Sequence, residues 1–506
     1  MTIRKNSNSV TDTEVGDMSP EEFRRHGHEV VNWIADYLKG IESYPVTSNV
    51  IPGQIRESLP TSSPYTGESF EDILYDFNSK IVPGITHWNH PGFFAYFAIT
   101  GSGPGILGEM LAAALNVNAM VWKSSPAGVE LEGLTLDWLR DLLGLPMTFQ
   151  GVINDTASSS SLYALSAARH TCFPEARERG IFTTPMSRIY ASKEAHSSID
   201  KAVITLGYGI AGLNRIETDR DFRMNTDSLR RALQEDMKSD IRPMAIVATL
   251  GTTSTGSMDP IDKLADIAEE YGVWLHVDAA YAGPAAIVPE FREYFSGWER
   301  ADSIVLNPHK WLFTPIDCSI LYCRRPDKLK SAFSITPEYL ATKEQDDTIS
   351  PMDYGIPLGR RLRALKLWFV LRYFGSQGIV ERIRAHCRLA LTFANLVDKT
   401  QGWERVAQVG FSTVVFRYSP SGSLKDTDGI MQEDSSTESD ELQDLVNMDI
   451  MDRVNESGEV FLSHTRLNNR VALRFSVGNL RSTETHVRRA WELLTFAADE
   501  VKNPET

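Results

Sequence analysis

The chain has 506 residues, 42% of them hydrophobic, and a formal net charge of -16 at pH 7. That length supports two or three packed layers and more than one core, and the acidic balance, with a pI near 5.2, lacks the basic patches that nucleic acid or an anionic membrane would require. There is no apolar run of about 18 residues and no apolar leader, so the expectation is a cytosolic enzyme with a small organic substrate, no membrane and no nucleic-acid partner.

Residues 1–18 are polar and read as a disordered tail. A helix starts at Ser19-Pro20-Glu21-Glu22, where a capping residue precedes a proline and a glutamate follows three positions on. Phe23, Val30, Ile34, Tyr37 and Ile41 recur at helical spacing. This apolar stripe packs either on the chain's own core or on a second subunit. From about residue 150 the pattern alternates: short buried strands at 188–192 and 244–250, an amphipathic helix over 261–271 stopped by Gly272, then strands at 273–277 and 303–306. The pattern predicts a parallel sheet with crossover helices, whose ligands collect beyond the carboxyl ends of its strands. After residue 367 come helices, strands at 413–418 and 471–475, and a final helix, which together read as a separate small domain. An acidic, serine-rich stretch at about 420–446 reads as a surface loop without EF-hand spacing. Cys172, Cys318, Cys323 and Cys387 form no CxxC pair. They read as buried thiols, with no zinc site and no disulfide framework.

Several strand ends carry chemistry. In Ser303-Ile-Val-Leu-Asn-Pro-His309-Lys310-Trp311 a lysine follows a strand directly. It is either a surface lysine or a desolvated amine able to form a Schiff base with an aldehyde cofactor. Val273-Trp-Leu-His-Val-Asp278 closes an apolar strand with a carboxylate, which is costly to bury without a cation; a protonated pyridine nitrogen would serve, and a metal ligand or helix cap are the alternatives. Asp155-Thr-Ala157-Ser158-Ser-Ser-Ser161 opens a helix with small hydroxyl residues, either an ordinary cap or a phosphate anchor of free amides. Thr253, in a Gly-Thr-rich turn after another strand, is either an ordinary turn residue or a hydroxyl at the cofactor's edge, and His196 is either a structural histidine or a flat ring that can stack on the pyridine and assist proton transfer.

In this order, these pieces resemble the group II pyridoxal-phosphate decarboxylases, most closely the aromatic-L-amino-acid decarboxylases. The resemblance spans about 19–420 and resumes at 458–500, carried by THWNHPGFFAYF, WLHVDAAYAG, NPHKW and IPLGRRLRALKLWFV. It implies a fold-type-I, aminotransferase-like α/β subunit with a mainly parallel central sheet, pyridoxal 5'-phosphate as cofactor, no metal, and an obligate homodimer whose N-terminal arm lies over the partner. The implied plan is a helical arm at 19–90, a large cofactor-binding domain at 91–366 and a small α+β domain at 367–506.

Carried over residue by residue, the resemblance makes Lys310 the Schiff-base lysine, Asp278 the pyridine-nitrogen partner and His196 the stacking ring. Ala157, Ser158, Asn307 and His309 resemble the phosphate-side contacts, and Thr253 and Ala280 the ring contacts. Tyr339, in a polar stretch at 334–353 that resembles the family's mobile catalytic loop, is implied to protonate the substrate carbon after carbon dioxide leaves. Trp88, Tyr96 and Phe97 match the family's aromatic wall. Ile99, Asn118 and Met120 stand where animal enzymes acting on dihydroxyphenylalanine carry Thr, Ile and Phe. Gly359 falls where plant relatives separate indole from phenol substrates, with the small residue on the indole side. The reading is decarboxylation of aromatic L-amino acids to arylalkylamines, tryptophan ahead of tyrosine, phenylalanine and dihydroxyphenylalanine. The alternatives are an aromatic aldehyde synthase, a histidine or glutamate decarboxylase, and a catalytically silent binding relative; retention of Tyr339 and His196 together favours simple decarboxylation.

Overall fold

A computed structural model describes residues 16–97, 99–335, 348–420 and 437–502. The chain divides into two units, residues 1–87 and 88–506. In the first, the helix Pro20–Lys39 begins as its sequence requires: Ser19 Oγ accepts the Glu22 N–H at 3.2 Å and Glu22 Oε2 accepts the Ser19 N–H at 3.1 Å. The predicted apolar stripe does not form a closed core within this unit. Ile41 is buried, Val30, Ile34 and Tyr37 are half-buried, and Phe23 stays 66% exposed. A short aromatic ladder holds the helix locally, with Trp33 stacked on Tyr37 at 5.1 Å and edge-on to Phe77 at 5.0 Å.

In the second unit the strands β1 (Gln150–Asn154), β2 (Ser187–Ser192), β3 (Leu213–Ile216), β4 (Arg242–Thr249), β5 (Trp274–Asp278), β6 (Ser303–Leu306) and β7 (Ser319–Cys323) form one sheet in the order β1-β7-β6-β5-β4-β2-β3. The neighbours from β3 to β6 are parallel, and β7 runs against both β6 and β1. β4 and β5 are buried almost throughout, as strands covered on both faces must be. The amphipathic helix Ile261–Tyr271 crosses between them and ends on Gly272, whose φ of 62° a side chain would resist. The carboxyl ends of β1, β2, β4, β5 and β6 therefore line one edge.

A second, antiparallel sheet has the order β10-β11-β9-β8, built from β8 (Trp403–Arg405), β9 (Thr413–Tyr418), β10 (Ser463–Leu467) and β11 (Arg470–Ser476). The helical segment Arg363–Lys399, broken at Gly375 where φ is 64°, runs from one sheet's core to the other's. Ala364, Leu367 and Ile383 pack with the large sheet, whereas Ala390, Phe393 and Val397 join Phe416, Phe475 and Trp491 around the small one. The segment's buried residues change from one core to the other between Cys387 and Ala390. Among the described residues, no helix is long and apolar enough to cross a membrane.

Candidate active site

At the carboxyl edge of the large sheet, Lys310 lies in a single helical turn, Pro308–Trp311, directly after β6. Its neighbour Trp311 is fully buried, stacks on Tyr281 at 5.2 Å and donates from Nε1 to His386 Nδ1 at 3.0 Å, so the turn is held from beneath. Desolvation pushes the Lys310 ammonium below the ordinary lysine range, the Asp278 carboxylate pulls it back up, and Arg474 adds to the downward push. A lysine so placed can act as a neutral amine.

Asp278 ends β5 and is 6% exposed. Its Oδ1 accepts the Ala280 N–H at 3.0 Å. Among the described residues no cation reaches it within ion-pair distance, so the carboxylate has a charge to give to a ligand. Asn307 N–H donates to Ala280 O at 3.2 Å, which ties the aspartate segment to the lysine segment. Asn307 is 3% exposed and its Oδ1 is buried with no partner, the kind of orphan that marks a missing ligand contact. His309 accepts the Cys318 N–H on Nδ1 at 3.0 Å, so its neutral ring carries the proton on Nε2. Burial pulls its pKa down to about 4 and keeps the ring neutral.

The helix Ala157–Cys172 follows β1. Its cap, Thr156, makes no side-chain cap, and no acidic residue lies in the first turn, so the opening amides are free for an anion. The serine run divides its work. Ser158 is exposed at the helix start. Ser160 Oγ accepts from Asn154 Nδ2 at 3.1 Å and meets Ser319 Oγ at 3.1 Å, while Ser161 Oγ meets His276 Nε2 at 3.0 Å. Thr253 is exposed on the loop after β4, whereas Thr252 and Thr255 spend their hydroxyls on each other at 2.8 Å.

His196, after β2, is exposed at this edge; its Nδ1 accepts the Ser198 N–H at 3.1 Å, leaving the proton of a neutral ring on Nε2. Desolvation lowers its pKa, Asp278 opposes that and Lys310 reinforces it, so the three residues share one local field. A free amide start, an unpaired buried carboxylate, an orphaned Asn307 and a desolvated lysine together fit a phosphorylated pyridine aldehyde. Lys310 would bind its aldehyde, Asp278 its ring nitrogen, and Ala157, Ser158, Asn307 and His309 its phosphate side.

The residues predicted to meet substrate form two groups. Trp88 stacks near Tyr96 at 5.8 Å, and Phe97 packs on Tyr281 at 4.5 Å and edge-on to Trp311 at 5.7 Å, so this wall reaches the lysine turn; Ile99 is half-buried beside it in sequence. Asn118 forms the second group: its Nδ2 meets Met120 Sδ at 3.4 Å, its Oδ1 accepts the Arg360 N–H at 2.9 Å, and a Cβ on Gly359 would lie 3.9 Å from its Nδ2. No ring contact or hydrogen bond joins the two groups among the described residues. Tyr339 lies outside the described residues.

Two participants have no counterpart in the sequence reading. Arg474, 5% exposed on β11, donates to Ser254 O at 3.1 Å, Ser463 Oγ at 3.0 Å and Tyr96 O at 3.2 Å. It fixes the backbone at Tyr96, in the predicted substrate wall, and burial draws its pKa down to about 10. His276 lies inside β5. Each interrupts an apolar run, VALRF and VWLHV, and that mismatch is the signal by which they could have been found.

The pyridoxal-dependent decarboxylase conserved domain matches residues 52–419. Tyrosine decarboxylase 4 of Petroselinum crispum is 41% identical, covering 95% of this chain and 94% of its own length. Phenylacetaldehyde synthase of a Rosa hybrid cultivar is 40% identical over 94% of each chain. The crystal structure of Oryza sativa TDC with PLP and tryptamine superposes with a TM-score of 0.91 at 36% identity, covering 96% of this chain and 100% of that one. With the candidate cofactor residues gathered on one sheet edge, the chain belongs to the pyridoxal-dependent decarboxylases and is a pyridoxal 5'-phosphate carboxy-lyase of fold type I.

Proposed function

We propose that the protein converts aromatic L-amino acids to arylalkylamines and carbon dioxide, with tryptophan preferred over tyrosine, phenylalanine and dihydroxyphenylalanine. Relatives named as decarboxylases and as an aldehyde synthase support action on an aromatic amino acid. The observation that carries the tryptophan preference is the open space at Gly359, where an added Cβ would meet only Asn118 Nδ2, at 3.9 Å. A bicyclic ring can use that space.

Bound to Lys310, pyridoxal 5'-phosphate supplies a sink for the electrons left when the Cα–carboxylate bond breaks. Lys310, whose pKa desolvation lowers from the ordinary lysine value, is the amine that would hold the cofactor's aldehyde. Asp278 would pair with the pyridine nitrogen and hold a proton there. Trp88, Tyr96 and Phe97 orient the aromatic ring and exclude water. His196 presents a proton on Nε2, and the Tyr339 hydroxyl delivers one to Cα.

The second reading is an aldehyde synthase, favoured by the 40% identity to phenylacetaldehyde synthase; the presence of both His196 and Tyr339 supports amine formation instead. Purified protein incubated with each aromatic amino acid, with amine, aldehyde and carbon dioxide quantified by mass spectrometry, separates the two. Amine in near-equal amount to carbon dioxide, fastest from tryptophan, is expected. Aldehyde with ammonia and peroxide as main products would favour the second reading.

A cytosolic homodimer completes the proposal. The helix Gly103–Leu115 packs inward through Gly108, where a Cβ would come within 2.8 Å of Lys366 Cα, yet leaves Leu107 53% and Leu115 60% exposed. An apolar face of this kind fits a second copy, and the chain runs directly from it to Asn118 and Met120. A solution mass near twice 56.6 kDa is expected; a stable, active monomer would contradict it.

A further inference from the structure

We propose that His276 is a positioning residue for the cofactor, tying together the three segments that carry its anchor points. Its ring is fully buried in β5, two residues before Asp278 and on the same face of the strand. Nε2 meets Ser161 Oγ at 3.0 Å, one helical turn inside the free start at Ala157. Nδ1 meets Ser303 Oγ at 2.9 Å, on the strand that leads to Asn307 and Lys310. Trp274 Nε1 donates to the same Ser303 Oγ at 2.8 Å, which anchors the hydroxyl. In the sheet register His276 lies opposite Ser303.

The phosphate and the ring nitrogen of a rigid cofactor sit at a set separation, so the helix start, Asp278 and Lys310 must keep matching positions. Apolar packing between that helix and the sheet, through residues such as Ala164, Ala168 and Val247, is non-directional and permits sliding. An imidazole bonded at both nitrogens does not. Misplacement by about 1 Å can cost about a hundredfold in rate. A leucine would fill a buried position without polar groups to satisfy, so packing alone does not call for a histidine here. The ring's neutrality serves the same end: burial draws His276 down to about 4, and an uncharged ring leaves the Asp278 carboxylate free for the cofactor nitrogen.

The test compares His276→Leu, which keeps bulk but no bonds, with His276→Gln, which can reach a hydroxyl. Each holoenzyme is stripped, and the dissociation constant for added pyridoxal 5'-phosphate and the visible circular dichroism of the bound cofactor are measured beside the melting temperature of the stripped protein. The expected result is a cofactor dissociation constant raised about tenfold or more in His276→Leu, with an altered dichroic band, and substantial recovery of both in His276→Gln. If His276→Leu does not fold, Ser161→Ala and Ser303→Ala are read singly and together. Non-additive losses in cofactor affinity are then expected, because the two bonds act through one ring. A wild-type dissociation constant and band in His276→Leu, or strictly additive serine effects where that variant does not fold, would overturn the assignment, whatever happens to the melting temperature.

Discussion

Two helix starts in this molecule meet the same physical problem and resolve it oppositely. Every helix opens with amides that have no partner within it. At Pro20–Lys39 the chain supplies the partners itself: Ser19 and Glu22 exchange hydrogen bonds, and Glu21 and Glu22 fill the positive end of the dipole. The hydrogen bonds from Ser19 hold the Glu22 carboxyl below its usual range. That start is closed to any anion. At Ala157–Cys172 no side chain caps the amides and no acid occupies the first turn, so the same physics leaves a place for phosphate. Local satisfaction makes a structural element, and withheld satisfaction makes a binding site.

The ligand-facing edge should carry the largest effects. Lys310→Ala is expected to abolish turnover, and borohydride reduction of the wild-type holoenzyme followed by peptide mapping should tag Lys310; a tag on another lysine would remove the assignment. Tyr339→Phe should lower amine yield by about 10²–10⁴-fold, the usual worth of a positioned proton donor, while carbon dioxide release continues and aldehyde rises under air. An unchanged amine yield would direct attention to His196 as the donor.

Buried histidines should respond in stability instead. His276, His309 and His386 are each drawn to about 4 by burial, whereas in the unfolded chain they titrate near about 6.5. Unfolding therefore takes up protons between those values, and stability falls as pH drops through that window, by up to about 1.4 kcal/mol per pH unit for each ring. Urea midpoints measured from pH 7 to 4 test this. A flat profile would mean that the rings are protonated in the fold.

Gly359→Ser should shift the tryptophan-to-tyrosine ratio of kcat/KM by about 1–3 kcal/mol, roughly tenfold or more, against tryptophan; an unaltered ratio in competition assays would remove the reason for preferring indoles. The smallest effects compare the two helix starts directly. Ser158→Asp adds a negative charge at the open start and should weaken cofactor binding about tenfold with little change in folding. Ser19→Ala should cost about 1 kcal/mol in local helix stability and leave cofactor affinity alone. Equal effects of the two substitutions on cofactor affinity would erase the distinction between the starts.

Much of the sheet edge that carries the candidate site is legible in the sequence. β6 and β9 coincide with the runs read at 303–306 and 413–418, β5 is offset by one residue, and the helix Ile261–Tyr271 stops at Gly272 as its left-handed backbone demands. β1, β3, β7, β8 and β10 were not read. SILYC of β7 is fully buried and lacks the alternation that marks a half-exposed strand, and HTR within β10 is too polar to stand out. Lys310 and Asp278 stood out because a charge at the end of an apolar strand is costly.

The sequence by itself determined where the strands end and which chemical groups arrive at those ends, because hydrophobic period, caps and glycines act over a few residues. Only the tertiary structure decided which serines of the run turn into the sheet, that Asn118 accepts the Arg360 N–H, and that Ser161 and Ser303 converge on His276. Those partners are far apart along the chain: Asn118 and Arg360 are separated by 242 residues and Ser161 and His276 by 115. Hydrogen-bond partnership depends on how whole elements pack, and no local pattern encodes which distant side chain that packing brings within 3 Å.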